Sequence, residues 1–204
     1  MEWDKTYGST KNDFATKVIQ TIDDGYAVLG TVNSNDGDVS LNVLPNWGGT
    51  WLLKLGKKGD KEWEFGQYSS YHGNFSTSGK DEIYQNQDGS YLLGTQIKGN
   101  QHLSDVDILI TMLDNNGAPN KAPGVKWSKS YGGKYTDVLN SFTIANDGGC
   151  ILLGSVSSYD GDLTYNHGYY DLWVAKIDNK GDLQYQKSYG SSDYDYGSGI
   201  TQLN

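Results

Sequence analysis

Short apolar runs bounded by turn residues recur along this chain. One set is Tyr26-Ala27-Val28-Leu29, Tyr91-Leu92-Leu93 and Cys150-Ile151-Leu152-Leu153. A second set is Trp51 to Leu55, Ile108 to Leu113 and Leu172 to Ile177. Nearly continuous apolar runs of this length predict strands buried on both faces. Each member of the first set follows a tight-turn signal: Asp23-Asp24-Gly25, Asp88-Gly89-Ser90 and Asp147-Gly148-Gly149. Glycine supplies the positive φ that a short hairpin needs. The second set is followed by Lys57-Lys58-Gly59, Asn115-Asn116-Gly117 and Asn179-Lys180-Gly181. An alternating pattern marks a third kind of strand: Trp3-Asp4-Lys5-Thr6-Tyr7, Trp127-Ser128-Lys129-Ser130-Tyr131 and Tyr185-Gln186-Lys187-Ser188-Tyr189. Side chains alternate across a strand, so the two aromatics and the lysine between them share one face.

These runs are copies of one unit. An aromatic opens a strand at Trp3, Trp63, Trp127 and Tyr185, with spacings of 60, 64 and 58 residues. A glycine closes an apolar run at Gly30, Gly94 and Gly154, and a third anchor falls at Leu55, Leu113 and Ile177. Each unit reads as four strands in the order A, B, C, D. Strand B lies at Thr16 to Thr21, with echoes around Ser141 to Ala145 and Gly199 to Leu203. The units fall at about 1–60, 61–124 and 125–182, with a partial unit at 183–204. Four-stranded antiparallel units at a regular period predict an all-β chain of tandem blades, a β-propeller or part of one.

Composition agrees with that class. The 204 residues include 27 Gly and only 3 Pro, with 16 Tyr and 6 Trp. Interior glycines cost a helix about 1 kcal/mol each, whereas turn-rich β structure accommodates them. The formal net charge is −9, which opposes binding to a phosphate backbone and argues against nucleic acid as a partner. All 16 basic residues are lysine, so the forked guanidinium that grips phosphate or carboxylate is absent. The single cysteine, Cys150, sits in an apolar run and reads as a buried thiol. No transmembrane span or signal peptide is evident, so no membrane insertion is expected.

The runs Lys5-Thr6-Tyr7-Gly8-Ser9 with Asp13, and Lys187 to Tyr196, resemble a bacterial β-propeller repeat family. So do the Asp-Gly-Gly turn before an apolar strand ending in Gly and the segment Asp171 to Asp178. The resemblance covers nearly the whole chain. Unit two departs most, with Gln67-Tyr68-Ser69 where the others carry Tyr-Gly. Such repeats belong to large secreted or surface proteins, often of Bacteroidetes type, so the resemblance implies an extracellular or cell-surface address. It implies no single activity and no shared catalytic residues. The chain reads as opening with strands A and B and stopping after A and B. The expectations are a piece of a longer array, an assembly completed by homo-oligomerisation, or a different closed arrangement.

Candidate chemistry is sparse. Asn33-Ser34-Asn35-Asp36-Gly37-Asp38 aligns with Ser157-Ser158-Tyr159-Asp160-Gly161-Asp162. Alternating oxygens around a glycine make Asp36, Asp38, Asp160 and Asp162 candidate Ca²⁺ ligands, while plain turn chemistry accounts for the same residues. Asp13, Asp137 and Asp195 share one repeat position, which points to a structural capping or turn role and not to a unique catalytic site. His72, His102 and His167 lack metal-spaced partners, so zinc is not expected. The loop Asn166 to Asp171, together with Asn46-Trp47, nominates Trp47, His167, Tyr169 and Tyr170 as ligand-binding groups that could face a sugar; packing between blades is the competing role. The leading functional expectation is a non-enzymatic scaffold for adhesion, display or binding of a glycan or surface protein. The alternatives are a polysaccharide-active hydrolase or lyase on a propeller scaffold, and a calcium-stabilised spacer.

Overall fold

The computed structural model describes residues 2–41, 49–68, 80–98, 105–115 and 121–203. Trp47, His72 and His102 lie outside the described residues. Three four-stranded antiparallel sheets follow one another, and no helix occurs among the described residues. Sheet one holds β1 (Phe14–Gln20), β2 (Tyr26–Val32), β3 (Gly49–Leu55) and β4 (Lys61–Tyr68). Sheet two holds β5 (Glu82–Gln85), β6 (Tyr91–Lys98), β7 (Val106–Leu113) and β8 (Val125–Tyr131). Sheet three holds β9 (Asp137–Ile144), β10 (Cys150–Val156), β11 (Asp171–Ile177) and β12 (Leu183–Tyr189).

Within each sheet the strands lie in sequence order, so the apolar strands C and D are central. Every residue of β3 and of β7 is buried, as two-sided cover requires. The pairing Tyr26↔Leu55 in sheet one has its counterpart in Cys150↔Ile177 in sheet three, so the repeat keeps its register.

The sheets and the sequence period are out of phase. The period opens on the aromatic strand A, but each sheet opens on strand B and closes on the A strand of the next repeat. Thus Trp63 lies on β4, Trp127 on β8 and Tyr185 on β12. The reason is local. Strands D and A are joined by a short turn, closed by Gly59 N to Gly56 O (2.9 Å) and by Gly181 N to Asp178 O (3.0 Å). A turn that tight forces antiparallel pairing of the strands it joins. The first A segment, Trp3 to Tyr7, forms no strand, and Gly199 to Leu203 is likewise outside any strand.

By its contacts the chain divides into two compact units. One comprises Met1–His72, Ile83–Leu93 and Met112–Lys126; the other comprises Gly73–Glu82, Gly94–Thr111 and Trp127–Asn204. In the first, Ala27, Leu29, Leu52 and Trp63 form a core with Ile83, Tyr91, Leu93 and Leu113. The opposite face of sheet one packs Val32, Val39, Trp51, Leu53 and Leu55. In the second, Leu139, Leu152, Trp173, Ala175 and Ile177 are fully buried. Each such Leu or Ile contributes about 1.5–3 kcal/mol on leaving water. The recurring Gly94 and Gly154 are explained by close approach: the Leu139 side chain lies against Gly94, and a β-carbon on Gly154 would come within 3.0 Å of Ile108 Cδ1.

One contact set is repeated in both units. Trp3 lies over Gly59 in the turn after β3, Lys5 pairs with Asp60 (2.6 Å), and Tyr7 Oη donates to the Gly59 carbonyl (2.6 Å). In sheet three the same turn is held by β8. Trp127 lies over Gly181, Lys129 pairs with Asp182 (2.6 Å), and Tyr131 Oη donates to the Gly181 carbonyl (2.6 Å). Both glycines take the left-handed conformation, with φ of 79° and 78°. A side chain there would meet the indole as well as backbone strain. Trp63 makes the corresponding aromatic contact in the middle of the chain, edge-on to Tyr91 at 5.7 Å, as Trp3 does to Tyr26 at 5.6 Å.

Tyr131 is buried and Lys129 is partly exposed, so their contacts differ in weight. Tyr131→Phe leaves the buried Gly181 carbonyl without its donor and is expected to cost about 1 kcal/mol in denaturant unfolding. Lys129→Met is expected to change stability by less than about 0.5 kcal/mol, as for exposed ion pairs generally. Equal losses from the two substitutions would contradict this assignment.

Candidate functional site

The loops at one end of sheet three carry most of its exposed aromatic surface. Three segments converge there because β9 and β11 begin, and β10 and β12 finish, at that end: residues 132–136, 157–170 and 190–196. Tyr170 and Tyr194 form a parallel bridge between the second and third segments, and Asp195 N donates to the Tyr170 carbonyl (2.7 Å). The bridge brings four rings into a stack. Tyr169 lies on Tyr194 with centroids 4.9 Å apart and planes within 7°. Tyr194 continues to Tyr196 at 6.2 Å and 14°, and Tyr170 faces both, at 5.9 Å and 5.8 Å. Tyr169, Tyr194 and Tyr196 are each more than half exposed, at 62%, 53% and 54%. Burial raises the Tyr170 hydroxyl above its ordinary range.

The loop beneath the stack is tied down by polar contacts. Asn166 Nδ2 donates to the Val156 carbonyl (2.9 Å), and Gly168 N donates to Asn166 Oδ1 (2.8 Å). His167 Nδ1 meets the buried Asp171 Oδ2 at 2.5 Å, and the His167 amide donates to the same oxygen at 2.9 Å. Tyr165 packs edge-on to the imidazole at 4.6 Å. A second exposed pair, Tyr135 and Tyr159, lies at the same end of the sheet, with centroids 5.6 Å apart.

Of the residues nominated from sequence, His167, Tyr169 and Tyr170 are therefore brought together in one loop. The structure adds Tyr165, Tyr194 and Tyr196. Tyr194-Asp195-Tyr196 is conspicuous in the sequence, but its partner loop precedes it by a full strand pair, and only the bridge joins them.

Asp36, Asp38, Asp160 and Asp162 occupy two equivalent turns. Asp36 accepts from Thr10 N (2.8 Å), Thr10 Oγ1 (2.5 Å) and Ser34 Oγ (2.8 Å), which hold its carboxyl at about 2, the Thr10 hydroxyl most of all. Asp160 accepts from Lys134 N (2.8 Å). Asp38 accepts from Gly8 N (3.0 Å) and Asp162 from Gly132 N (3.3 Å). Each carboxylate thus pins the loop that follows a strand A. Among the described residues, no group of three or more His, Cys, Asp or Glu side chains is arranged to hold a metal ion. The shared position of Asp13, Asp137 and Asp195 is a cap in the first, third and partial units, accepting from Ser9 N, Gly133 N and Ser191 N at 2.5, 3.0 and 2.7 Å.

A buried acidic pair was not foreseen. Asp107, at the start of β7, lies against Gly132, and its Oδ1 is buried without a hydrogen-bond partner among the described residues. Burial, then the charges of Asp137, Asp105 and Asp162, raise its carboxyl to about 7. Asp137 is raised to about 6 by burial, opposed by donors from Ser158, Gly133 and Ser157. Those donors favour the charged form on Asp137, so the proton belongs on Asp107. Asp171 repeats the position of Asp107 in sheet three, against Gly190, and sheet one has Gly49 there. No family model matches the chain, and no curated protein matches it.

A carboxyl raised in the folded state holds its proton where the unfolded chain has released it. Stability is therefore full below about pH 4 for this group and is lost as pH rises toward 7. Asp107→Asn is expected to leave the melting temperature nearly unchanged at pH 4 and to raise it by about 2–4 °C at pH 8. A variant less stable at pH 8 would contradict the protonation assignment. Cys150 is buried and its thiol is pushed up to about 12, chiefly by burial, so it is expected to react with a disulfide reagent only on unfolding.

Proposed function

We propose that this chain is a non-enzymatic binding scaffold of propeller type, acting outside the cell or at its surface, whose tyrosine stack receives a neutral glycan. The observation that carries the reading is the stack itself: four near-parallel rings, three of them more than half exposed, held by a bridge between two loops of one rigid sheet. Flat aromatic faces suit the axial C–H surface of a sugar ring, and phenolic hydroxyls at their edges suit its hydroxyl groups. Fixed rings lose little conformational freedom on binding. The net charge of −9 disfavours an acidic polymer and leaves neutral saccharides as the better class. Three serial four-stranded sheets with a repeated contact between strand A and the following turn support the propeller reading.

The competing hydrolase reading draws on the raised carboxyls of Asp107 and Asp137. Both are buried, and the repeat supplies each with a structural role against the Tyr-Gly segment. A glycan array followed by calorimetry tests the proposal. Tyr169→Ala and Tyr194→Ala are each expected to weaken binding about tenfold or more without loss of fold, as for aromatic anchors elsewhere. Asp36→Asn, in the equivalent loop of sheet one, is expected to leave it unchanged. Turnover of chromogenic glycosides abolished by Asp107→Asn would establish the hydrolase instead.

A further inference from the structure

The face of β12 that carries Tyr185, Lys187 and Tyr189 repeats the pattern of Trp3, Lys5, Tyr7 and of Trp127, Lys129, Tyr131. In those two cases the face grips a turn: the aromatic covers a left-handed glycine, the lysine pairs with the following aspartate, and the tyrosine donates to the glycine carbonyl. On β12 the same face meets no such turn among the described residues. Tyr185 is 57% exposed and Tyr189 50% exposed, against 4% for Tyr131. Lys187 Nζ folds back over the Tyr189 ring at 5.1 Å.

A second contact repeats alongside. Gln85 on β5 accepts from Ile22 N at 2.9 Å, capping the turn between β1 and β2. Gln202 accepts in the same way from Asn146 N at 3.1 Å, in the turn between β9 and β10. Gln202 thus stands where a strand B stands when a sheet follows, although it is outside any strand. The cap from Asp195 to Ser191 N, matching Asp13 to Ser9 N and Asp137 to Gly133 N, puts residues 195–203 in register with 13–21 and 137–145.

We propose that Tyr185, Lys187 and Tyr189 form a docking face whose occupant is the turn of one further four-stranded repeat of this kind, a turn with a left-handed glycine followed by aspartate. Charge complementarity fixes the chemistry: a lysine flanked by tyrosine hydroxyls meets a carboxylate and a backbone carbonyl. The two filled examples fix the geometry. The proposal rests on the serial-sheet reading and not on the glycan reading, so a failure of either leaves the other standing.

The test extends the intact chain after Asn204 with a copy of Asp147 to Tyr189, which the register above places as strands C, D and A of a fourth sheet. Residue-resolved tyrosine nitration is compared with the parent chain. Tyr185 and Tyr189 are expected to react on the order of tenfold more slowly, as exposed groups do once buried, while Tyr159 is unchanged. Lys187→Glu is expected to reverse the protection, and replacing the copied Asp182 with lysine in that variant to restore it. Unchanged reactivity of Tyr185 and Tyr189 in a folded extended chain overturns the proposal. If the added repeat does not fold, the turn is supplied in trans by the full-length chain carrying Trp3→Ala, Lys5→Ala and Tyr7→Ala, its fold checked by near-ultraviolet circular dichroism, whose Gly59–Asp60 turn is then uncovered. Protection of the intact chain by an excess of the folded variant supports the proposal, and its absence overturns it. Protection that rises with the concentration of the intact chain alone would assign the face to a second copy and overturn the occupant proposed here.

Discussion

The turn between strands D and A, and the tyrosine that holds it, organise this protein. A left-handed glycine exposes its carbonyl and leaves room above its α-carbon. The indole fills that room, the phenol satisfies the carbonyl, and lysine neutralises the aspartate that closes the turn. None of these groups is adjacent in sequence to its partner; Tyr131 and Gly181 are separated by β9, β10 and β11. β8 is therefore paired by backbone within sheet two while its side chains hold the turn between β11 and β12. The burial of Tyr131 indicates where the weight lies, because a buried hydroxyl and carbonyl that lose each other cannot turn to water.

The same constraint explains why period and sheet are out of phase. A repeat read from its most visible residue opens at Trp3, Trp63, Trp127 and Tyr185. Hydrogen bonding assigns Trp63, Trp127 and Tyr185 to the fourth strand of the preceding sheet. Each repeat boundary therefore falls inside a hairpin and not in a linker.

At the loop end of sheet three, carboxylates and tyrosines divide the work. Asp137, Asp160, Asp162 and Asp195 bind backbone amides and set the loop paths; the tyrosines stand on the loops so fixed. Asp107 and Asp171 occupy the space beside Gly132 and Gly190, which accounts for the Tyr-Gly pairing that recurs after strand A. Sheet one has Gly49 at that position. The repeats are thus alike in frame and different in what they bury. The aromatic stack, by contrast, is built from residues that belong to no repeat anchor.

Strand composition, turn positions and the 60-residue interval were legible in the sequence because each depends on local chemistry. Apolar runs need cover on both faces, Asp-Gly pairs make hairpins, and alternation puts Trp127, Lys129 and Tyr131 on one side of a strand. The burial of Cys150 and the capping role of Asp13, Asp137 and Asp195 followed from position alone. Tertiary structure decided what depends on distant pairing: which sheet each A strand joins, what its aromatic face holds, and that Tyr194 and Tyr196 meet Tyr169 and Tyr170 in one stack. It also decided the protonation of Asp107, since a carboxyl is raised by burial and by charges that approach only in the folded chain. Local patterns set the strands, and contacts between residues far apart in the chain set their assembly, because sequence periodicity records which face a side chain takes and not which partner lies opposite.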